Sequence, residues 1–245
     1  VHGIILRKIF KKEADTILEV YTKEAGLVYF QAKGVRKAEA KLKFRLDTFN
    51  LATIYYAPSR YLPIIVDAKV EDRYGLLRQD LERLRLANTA GHIISNIFES
   101  GFPDARIWQE VLRYFNALND GSFSSEELSQ LAYLTCYRFL SLGGFDPELV
   151  RCTVCLKPIF LGRLNISLIN GGLVHTACTA GSDLSLDVAR DVLYLVHDMK
   201  KGEPVLVLNQ RLKEDVWLDF KKLTQFFFQY YFGFRFRSSE RVSSI

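Results

Sequence analysis

The stretch Arg151-Cys152-Thr153-Val154-Cys155 is followed, after nineteen residues, by His175-Thr176-Ala177-Cys178. Three thiolates and one imidazole, arranged as two pairs with the same internal gap, are the ligand set of a tetrahedral zinc site. The two residues inside each pair let the backbone turn so that both side chains face one ion. Gly171-Gly172 allows a tight reversal before the second pair. The spacing therefore predicts one Zn²⁺ per chain, bound by Cys152, Cys155, His175 and Cys178.

This predicted zinc ion is structural, because four protein ligands leave no coordination position for water or substrate. The chain also has no His-Glu-x-x-His pair, and we expect no enzymatic activity. The alternative interpretation is that these residues are ordinary reduced thiols and a surface histidine. The remaining cysteine, Cys136, lies in the apolar run Leu131 to Leu140 and is predicted to be a core residue.

Composition indicates a globular protein. The 245 residues are 49% hydrophobic, which is enough for one large or two smaller hydrophobic cores. No apolar run approaches the roughly eighteen residues that span a bilayer, and the opening Val1-His2-Gly3-Ile4 is soon followed by Arg7 and Lys8. We therefore expect neither a signal peptide nor a membrane helix. Cysteines arranged for metal and not for disulfides favour a reducing, cytoplasmic environment.

The positive charge is concentrated at the N-terminal end. The net charge is +5, and residues 1–62 contain twelve Lys or Arg against six Asp or Glu, whereas the rest of the chain is close to neutral. A local basic excess without a basic amphipathic helix favours a polyanionic partner, with nucleic acid preferred over a membrane surface.

The first seventy residues are predicted to form five short strands at 4–6, 16–21, 26–32, 51–56 and 62–66. They are rich in β-branched and aromatic residues, and turn residues such as Glu24-Ala25-Gly26 separate several of them. Five strands in this length predict a small β-barrel covering residues 1–72. A five-stranded OB-fold that binds nucleic acid is the leading interpretation, and an SH3-like barrel is the alternative.

The connection after the third strand is the most basic part of the chain. Charge density and barrel context predict phosphate contacts, although charged runs are often only solvated loops. Tyr29, Phe30 and Phe44 lie nearby and could stack on bases, but at strand spacing such residues more often belong to the core. The predicted DNA-binding residues are Lys33, Arg36, Lys37, Lys41 and Lys43, with Arg7 and Lys8 as weaker candidates.

Beyond Asp72 the apolar residues recur with helical spacing. One or two helices are predicted over Leu76–Phe98 and a further one around Ile107–Phe115. Another is predicted from Ser124 or Ser125 to Leu142, where Gly143-Gly144 ends the helix. Two more are predicted at Ser185–Lys200 and Asp215–Phe232, the last an aromatic core helix. The fold class is thus α+β, with an N-terminal OB-fold followed by an all-α domain, residues 73–245, in which a zinc module at about 150–182 is inserted.

Several motifs, in this order, resemble the RecO family of bacterial DNA repair and recombination mediators. The N-terminal match is carried by Gly3–Leu6 with Glu13-Ala14-Asp15, by the Tyr21–Leu27 turn, and by Ala32–Lys37 followed by Leu46–Phe49. The more specific match is Leu142–Leu149 running into Cys152-x-x-Cys155, then Gly171-Gly172 running into His175-x-x-Cys178. Tyr231–Ser238 resembles the closing segment of the family. The family usually has a cysteine in the position of His175.

The resemblance implies an N-terminal OB-fold, a helical domain with a zinc module, and no enzymatic turnover. It further implies a cytoplasmic, nucleoid-associated protein that binds single- and double-stranded DNA and anneals complementary strands. With RecR, such a protein helps to load RecA onto DNA covered by single-stranded-DNA-binding protein. Two other classes remain open: a zinc-containing RNA-binding or transcription-related OB-fold protein, and a zinc-dependent nucleic-acid enzyme.

Overall fold

The computed structural model describes residues 1–10, 15–37, 40–159, 164–179, 184–201, 204–208 and 213–233. The predicted features at Glu13-Ala14, Glu39, Phe234–Ser238 and parts of the zinc module, residues 160–163 and 180–182, lie outside this range. The chain divides into two compact units, Val1–Leu128 and Ser129–Ile245. None of the described helices has the length and apolar character needed to cross a membrane.

The N-terminal unit contains a closed five-stranded barrel. Its strands are β1 (His2–Phe10), β2 (Thr16–Thr22), β3 (Gly26–Ala32), β4 (Leu51–Ala57) and β5 (Ile64–Asp72), in the order β1-β2-β3-β5-β4. Strand β1 pairs with β4 antiparallel, and β3 pairs with β5 in parallel through Gln31 and Ile64. This closure is the OB-fold arrangement, so the OB-fold prediction is confirmed and the SH3-like alternative is not.

Alternating apolar side chains fill the barrel. Leu18 and Val20 of β2, and Ala52 and Ile54 of β4, are completely buried, as expected for strands with one face toward a core. Val35 and Leu46, from the connection between β3 and β4, join the same cluster. The basic connection therefore lies against the barrel and contributes to its core.

Three helices complete the core of this unit: α1 (Gly75–Gln79), α2 (Leu81–Ile97) and α3 (Ala105–Leu118). Phe115 of α3 lies 5.7 Å, between ring centroids, from Phe49, and Tyr21 of β2 lies 6.0 Å from Phe98. The barrel and these helices thus share apolar contacts. Strand β5 extends to Asp72, beyond the predicted strand end at Val66, and the division into a 1–72 domain and a 73–245 domain stays a prediction.

Helix α4 (Ser125–Leu142) begins and ends where its sequence predicts. The Ser124 amide donates to the Glu127 carboxylate at 2.8 Å, and the Glu127 amide donates to the Ser124 hydroxyl at 3.3 Å, which is a capping box. Gly144, at φ +84°, allows the turn after the helix. Cys136 is 1% exposed, so its assignment to the core is confirmed.

The second unit is mainly helical, with a small antiparallel sheet. Its further elements are β6 (Leu164–Ser167), β7 (Gly172–Val174), β8 (Ser185–Val188), α5 (Asp191–Lys201), α6 (Pro204–Leu208) and α7 (Glu214–Phe232), and the sheet order is β7-β6-β8. The prediction of one helix over Ser185–Lys200 is wrong at its start, because β8 pairs with β6 as a strand. A strand this short depends on a distant partner, which helical spacing does not reveal.

Helix α7 supplies the aromatic core of this unit. Tyr137 of α4 lies 5.4 Å from Phe220 and 6.3 Å from Phe227, measured between ring centroids. Phe220, Phe227 and Phe228 are buried, whereas Tyr230 and Tyr231 are exposed. The prediction of a core helix is therefore confirmed for its inward face, while the aromatic residues at its end remain on the surface.

Candidate metal centre and nucleic-acid interface

The four predicted zinc ligands lie together in the second unit. One ligand atom from each of Cys152, Cys155, His175 and Cys178 falls within 4.8 Å of all the others. Cys152 is buried and the other three are half-buried. The structure therefore brings together residues that are up to 26 positions apart in the chain, as the two pairs of ligands require.

A tight hairpin holds the first pair. The amide of Leu156 donates to the carbonyl of Cys152 at 2.9 Å, and the amide of Cys152 donates to the carbonyl of Lys157 at 3.0 Å. Leu156 has a left-handed backbone, at φ +61°, which costs energy for a residue with a side chain. These bonds turn the backbone so that both thiols point to one side.

The second pair is carried by β7 and the short 3₁₀ turn Thr176–Cys178. The amide of Cys178 donates to the carbonyl of His175 at 2.8 Å, which orients the two side chains. Leu173 links the two pairs through backbone hydrogen bonds. Its amide donates to the carbonyl of Glu148 at 2.9 Å, and its carbonyl accepts from the amide of Thr153 at 2.8 Å. The cluster is thus fixed by backbone hydrogen bonds on both sides.

The histidine presents one defined nitrogen to the thiols. His175 Nδ1 lies 3.3 Å from the sulfur of Cys155 and 4.0 Å from that of Cys178. His175 Nε2 lies 3.2 Å from the carbonyl oxygen of Pro158. A carbonyl oxygen only accepts, so a proton on Nε2 satisfies this contact, and Nδ1 is the nitrogen that faces the thiols as a metal ligand.

The thiols have unequal acidities. Burial opposes ionisation of Cys152, but hydrogen bonds from the amides of Cys155, His175 and Val154 outweigh it and lower the pKa of this thiol to about 6. Burial and the neighbouring thiols Cys155 and Cys152 raise the pKa of Cys178 to about 11. Crowded thiolates repel one another, so a bound cation would stabilise this donor set. The Cys₃His cluster fits a metal ion.

Gly172 of β7 lies close against the backbone of Glu148, which precedes the first ligand pair. A Cβ at Gly172 would lie 2.3 Å from the carbonyl oxygen and 2.8 Å from the amide nitrogen of Glu148. Both contacts are with backbone and cannot relax by a side-chain rotation. We expect Gly172→Ala to destabilise the protein by about 1–3 kcal/mol, measured as a fall in the midpoint of chemical unfolding.

Gly121→Ala is the matched control for this substitution. A Cβ at Gly121 would make only an ordinary 3.6 Å contact with the side chain of Leu76. Its unfolding midpoint is expected to stay within experimental error of the wild type. An unchanged midpoint in Gly172→Ala would contradict the packing described for this module.

The strongest predicted DNA-binding residues lie on the surface of the connection between β3 and β4. Lys33, Lys37, Lys41 and Lys43 are exposed, and none of them forms an ion pair with a carboxylate of the described residues. Arg36 is also exposed, and its guanidinium carbon lies 4.8 Å from the ring centroid of Phe10. Ammonium groups without a carboxylate partner are available to phosphates.

Hydrogen bonds fix both ends of this connection. At the start, the amide of Gly34 donates to the carboxylate of Asp15 at 2.9 Å. At the end, the buried Asn50 side chain donates to the carbonyls of Phe44 and Arg45 at 3.1 and 3.0 Å. The basic side chains therefore project from an anchored segment.

The weaker candidates, Arg7 and Lys8, are engaged in ion pairs. Arg7 Nη2 lies 2.7 Å from the buried carboxylate of Glu19, which also accepts from the Tyr29 hydroxyl at 3.0 Å. Lys8 Nζ lies 2.6 Å from Asp47. A phosphate would have to compete with these carboxylates, so the geometry favours the lysines of the connection as DNA contacts.

Sequence reasoning missed two features near the basic connection. A groove of about 610 Å³ on β4 and β5 is lined by Tyr55, Lys69 and Arg73. An ion pair also lines it, in which Arg45 Nη1 lies 2.8 Å from Asp67 Oδ1. The sequence signal for a longer strand is the alternation of polar Asp67 and Lys69 with apolar Ala68. The predicted strand, however, ends at Val66. The second feature is the exposed Phe10, which lies at the end of β1 beside Phe44 in one cavity.

Comparisons with known proteins agree with this architecture. The family model described as Recombination protein O N terminal matches residues 1–74, and the model described as Recombination protein O C terminal matches residues 78–240. The boundary between the two matches follows the end of β5.

Curated relatives carry the same description. A protein named DNA repair protein RecO from Desulfatibacillum aliphaticivorans is 24% identical over 94% of this chain and 91% of its own length. Another so named, from Rubrobacter xylanophilus, is 31% identical over 62% of this chain and 60% of its own length. A third, from Gloeobacter violaceus, is 28% identical over 72% of this chain and 67% of its own length.

Proposed function

The chain belongs to the RecO family of DNA repair proteins, and from that premise we propose that it is a DNA repair and recombination mediator without enzymatic activity. It binds single- and double-stranded DNA, anneals complementary strands, and with RecR helps to load RecA onto DNA covered by single-stranded-DNA-binding protein. It acts in the cytoplasm, associated with the nucleoid.

The observation that carries this proposal is the anchored basic connection on the OB barrel. Lys33, Lys37, Lys41 and Lys43 project into solvent without a carboxylate partner among the described residues. They would neutralise phosphates and release counterions, so binding is expected to be largely independent of sequence and to weaken steeply with salt. Arg36 adds a further cation, while Arg7 and Lys8 remain weaker contacts.

Annealing follows from the same electrostatics. Two DNA strands repel each other through their phosphates, and a protein that screens this repulsion lowers the barrier to their encounter. Base pairing then supplies the specificity, because phosphate contacts carry no sequence information. A mediator of this kind needs no catalytic residues.

We further propose that Cys152, Cys155, His175 and Cys178 hold one Zn²⁺ ion, which stabilises the fold of the module. Four protein donors close a tetrahedral coordination sphere. When bound, the ion would cross-link the hairpin after Arg151 to the segment after β7. Its contribution is therefore to folding or partner docking, and DNA contact is assigned to the barrel.

The test is annealing of complementary strands, bare and coated with single-stranded-DNA-binding protein, across a salt series. We expect acceleration at low salt in both cases, and lower activity as salt rises. Failure to accelerate annealing at low salt would contradict the proposed function. In a competition between single-stranded DNA and RNA of the same sequence, a preference for RNA would instead favour an RNA-binding protein.

A further inference from the structure

The mouth of the barrel contains a cavity of about 320 Å³, which is in the size range of small-ligand sites. Leu18 of β2, Val35 and Leu46 contribute apolar surface at its base. The exposed aromatic rings of Phe10 and Phe44 also line it. The cavity therefore has an apolar interior and an aromatic rim.

The accessible polar lining of this cavity includes an ion pair. Lys8 Nζ lies 2.6 Å from Asp47 Oδ1, and both residues are half-buried and line the cavity. Thr16 also lines it, but its hydroxyl oxygen is buried and closed to a ligand. Polar groups for the edge of a ligand are therefore supplied by Lys8 and Asp47.

Cations accompany both aromatic rings. Arg36 lies 4.8 Å from the ring centroid of Phe10, and Lys43 Nζ lies 5.8 Å from that of Phe44. Phe10 and Phe44 are 66% and 64% exposed, which leaves much of each ring available to a ligand. A ligand that stacks on these rings would bring any attached phosphate close to a guanidinium or ammonium group.

We propose that this cavity binds one unpaired nucleobase of single-stranded DNA. A base has flat apolar faces for Phe10 and Phe44, and a polar edge for Lys8 and Asp47. The adjoining phosphates would meet Arg36 and Lys43. An inorganic phosphate or a lipid headgroup would leave the aromatic and apolar surface unused. Bases inside a duplex are stacked and paired, so the cavity selects single-stranded over double-stranded DNA.

This inference rests on the proposed function, because it assumes that the basic connection binds DNA. The experiment compares a thymidine oligonucleotide with an abasic deoxyribose-phosphate oligomer of the same length and charge, at one salt concentration. Wild-type protein is expected to bind the base-bearing strand about tenfold more tightly, as loss of a stacked base predicts. The double variant Phe10→Leu/Phe44→Leu is expected to lose this preference and to keep its affinity for the abasic strand.

Phe102→Leu is the matched control, because Phe102 is an equally exposed phenylalanine, at 68%, in the same unit but outside the cavity. It is expected to keep the full preference for the base-bearing strand. Thermal unfolding of each variant checks that the fold is kept.

The outcomes separate the two proposals. If wild-type protein binds neither strand, the proposed function fails and this inference fails with it. If it binds both strands equally, or if the double variant keeps the preference, the nucleobase site is overturned while phosphate binding stands. Photocrosslinking of a strand containing 5-iododeoxyuridine gives a direct readout: adducts at Phe10 or Phe44 support the site, and adducts only at other residues overturn it.

Discussion

Replacement of both Cys152 and Cys178 by serine is expected to remove the bound metal and to unfold the module that surrounds it. The two substitutions take one thiol from each ligand pair, so neither pair can chelate an ion. Structural zinc contributes apparent free energies of about 10–16 kcal/mol in isolated zinc-finger peptides, and we expect a loss of more than about 3 kcal/mol here, where neighbouring elements also support the module. Metal content per chain and amide hydrogen exchange in residues 148–178 measure the two effects.

Two control variants separate metal loss from general damage. Cys136→Ala also removes a buried thiol, but it lies outside the cluster, so it is expected to keep one metal ion per chain. His175→Cys replaces one ligand by another that zinc accepts, and should also retain the metal. Normal metal content and exchange protection in the double serine variant would contradict a structural metal at this site.

The metal cluster is the part of the molecule that local sequence predicts best. Each ligand pair lies in a short turn, so local sequence determines its geometry. Only one long-range contact is then needed to bring the two pairs together. The residue that permits this contact is Gly172, which lies against the backbone of Glu148. The sequence predicts a chain reversal at Gly171-Gly172. It does not reveal that the backbone of Glu148 lies against Gly172.

The barrel was predictable for a different reason. Its strands are rich in β-branched and aromatic residues and are separated by turn residues, and these features are visible without knowledge of the strand partners. Strand order and closure depend on pairs far apart in sequence, such as Gln31 with Ile64, which the pattern leaves undetermined. The same limit explains β8, which was predicted as helix because its partner β6 is about twenty residues away.

The nucleic-acid interface is also only partly predictable from the sequence. The local excess of Lys and Arg identifies the basic connection from the sequence alone. The ion pairs that engage Arg7 and Lys8 involve Glu19 and Asp47, which lie 12 and 39 residues away. Only the fold shows these pairs. The cavity beside Phe10 also depends on the fold, because its lining comes from β1, β2 and the connection.

Substitution of Lys33, Arg36 and Lys37 by alanine is expected to weaken binding to single-stranded DNA by at least about tenfold at low salt. If each residue contacts one phosphate, the slope of log affinity against log salt should become shallower by about 2, since each contact with a single strand contributes about 0.7. Annealing of complementary strands should slow in parallel. Fluorescence anisotropy across a salt series gives the slope, and an annealing time course gives the rate.

The control variant Lys23/Arg106/Lys157→Ala removes three exposed cations from outside the basic connection. Both triple variants have the same net charge, +2 instead of +5, so a general effect of charge on DNA binding would appear equally in both. We expect the control to keep the wild-type slope and annealing rate. Normal annealing by the first variant would move the interface away from Lys33, Arg36 and Lys37, with the groove at Lys69 and Arg73 as the next candidate.

The slope also distinguishes the two ways in which the barrel is proposed to hold DNA. Loss of lysines changes the number of phosphates neutralised, and with it the slope, for strands with or without bases. Loss of Phe10 and Phe44 removes stacking, which releases no counterions, so the slope should stay constant while the preference for base-bearing strands disappears. A variant that combines the two sets should show both changes at once, because the phosphate and base contacts are made by different side chains.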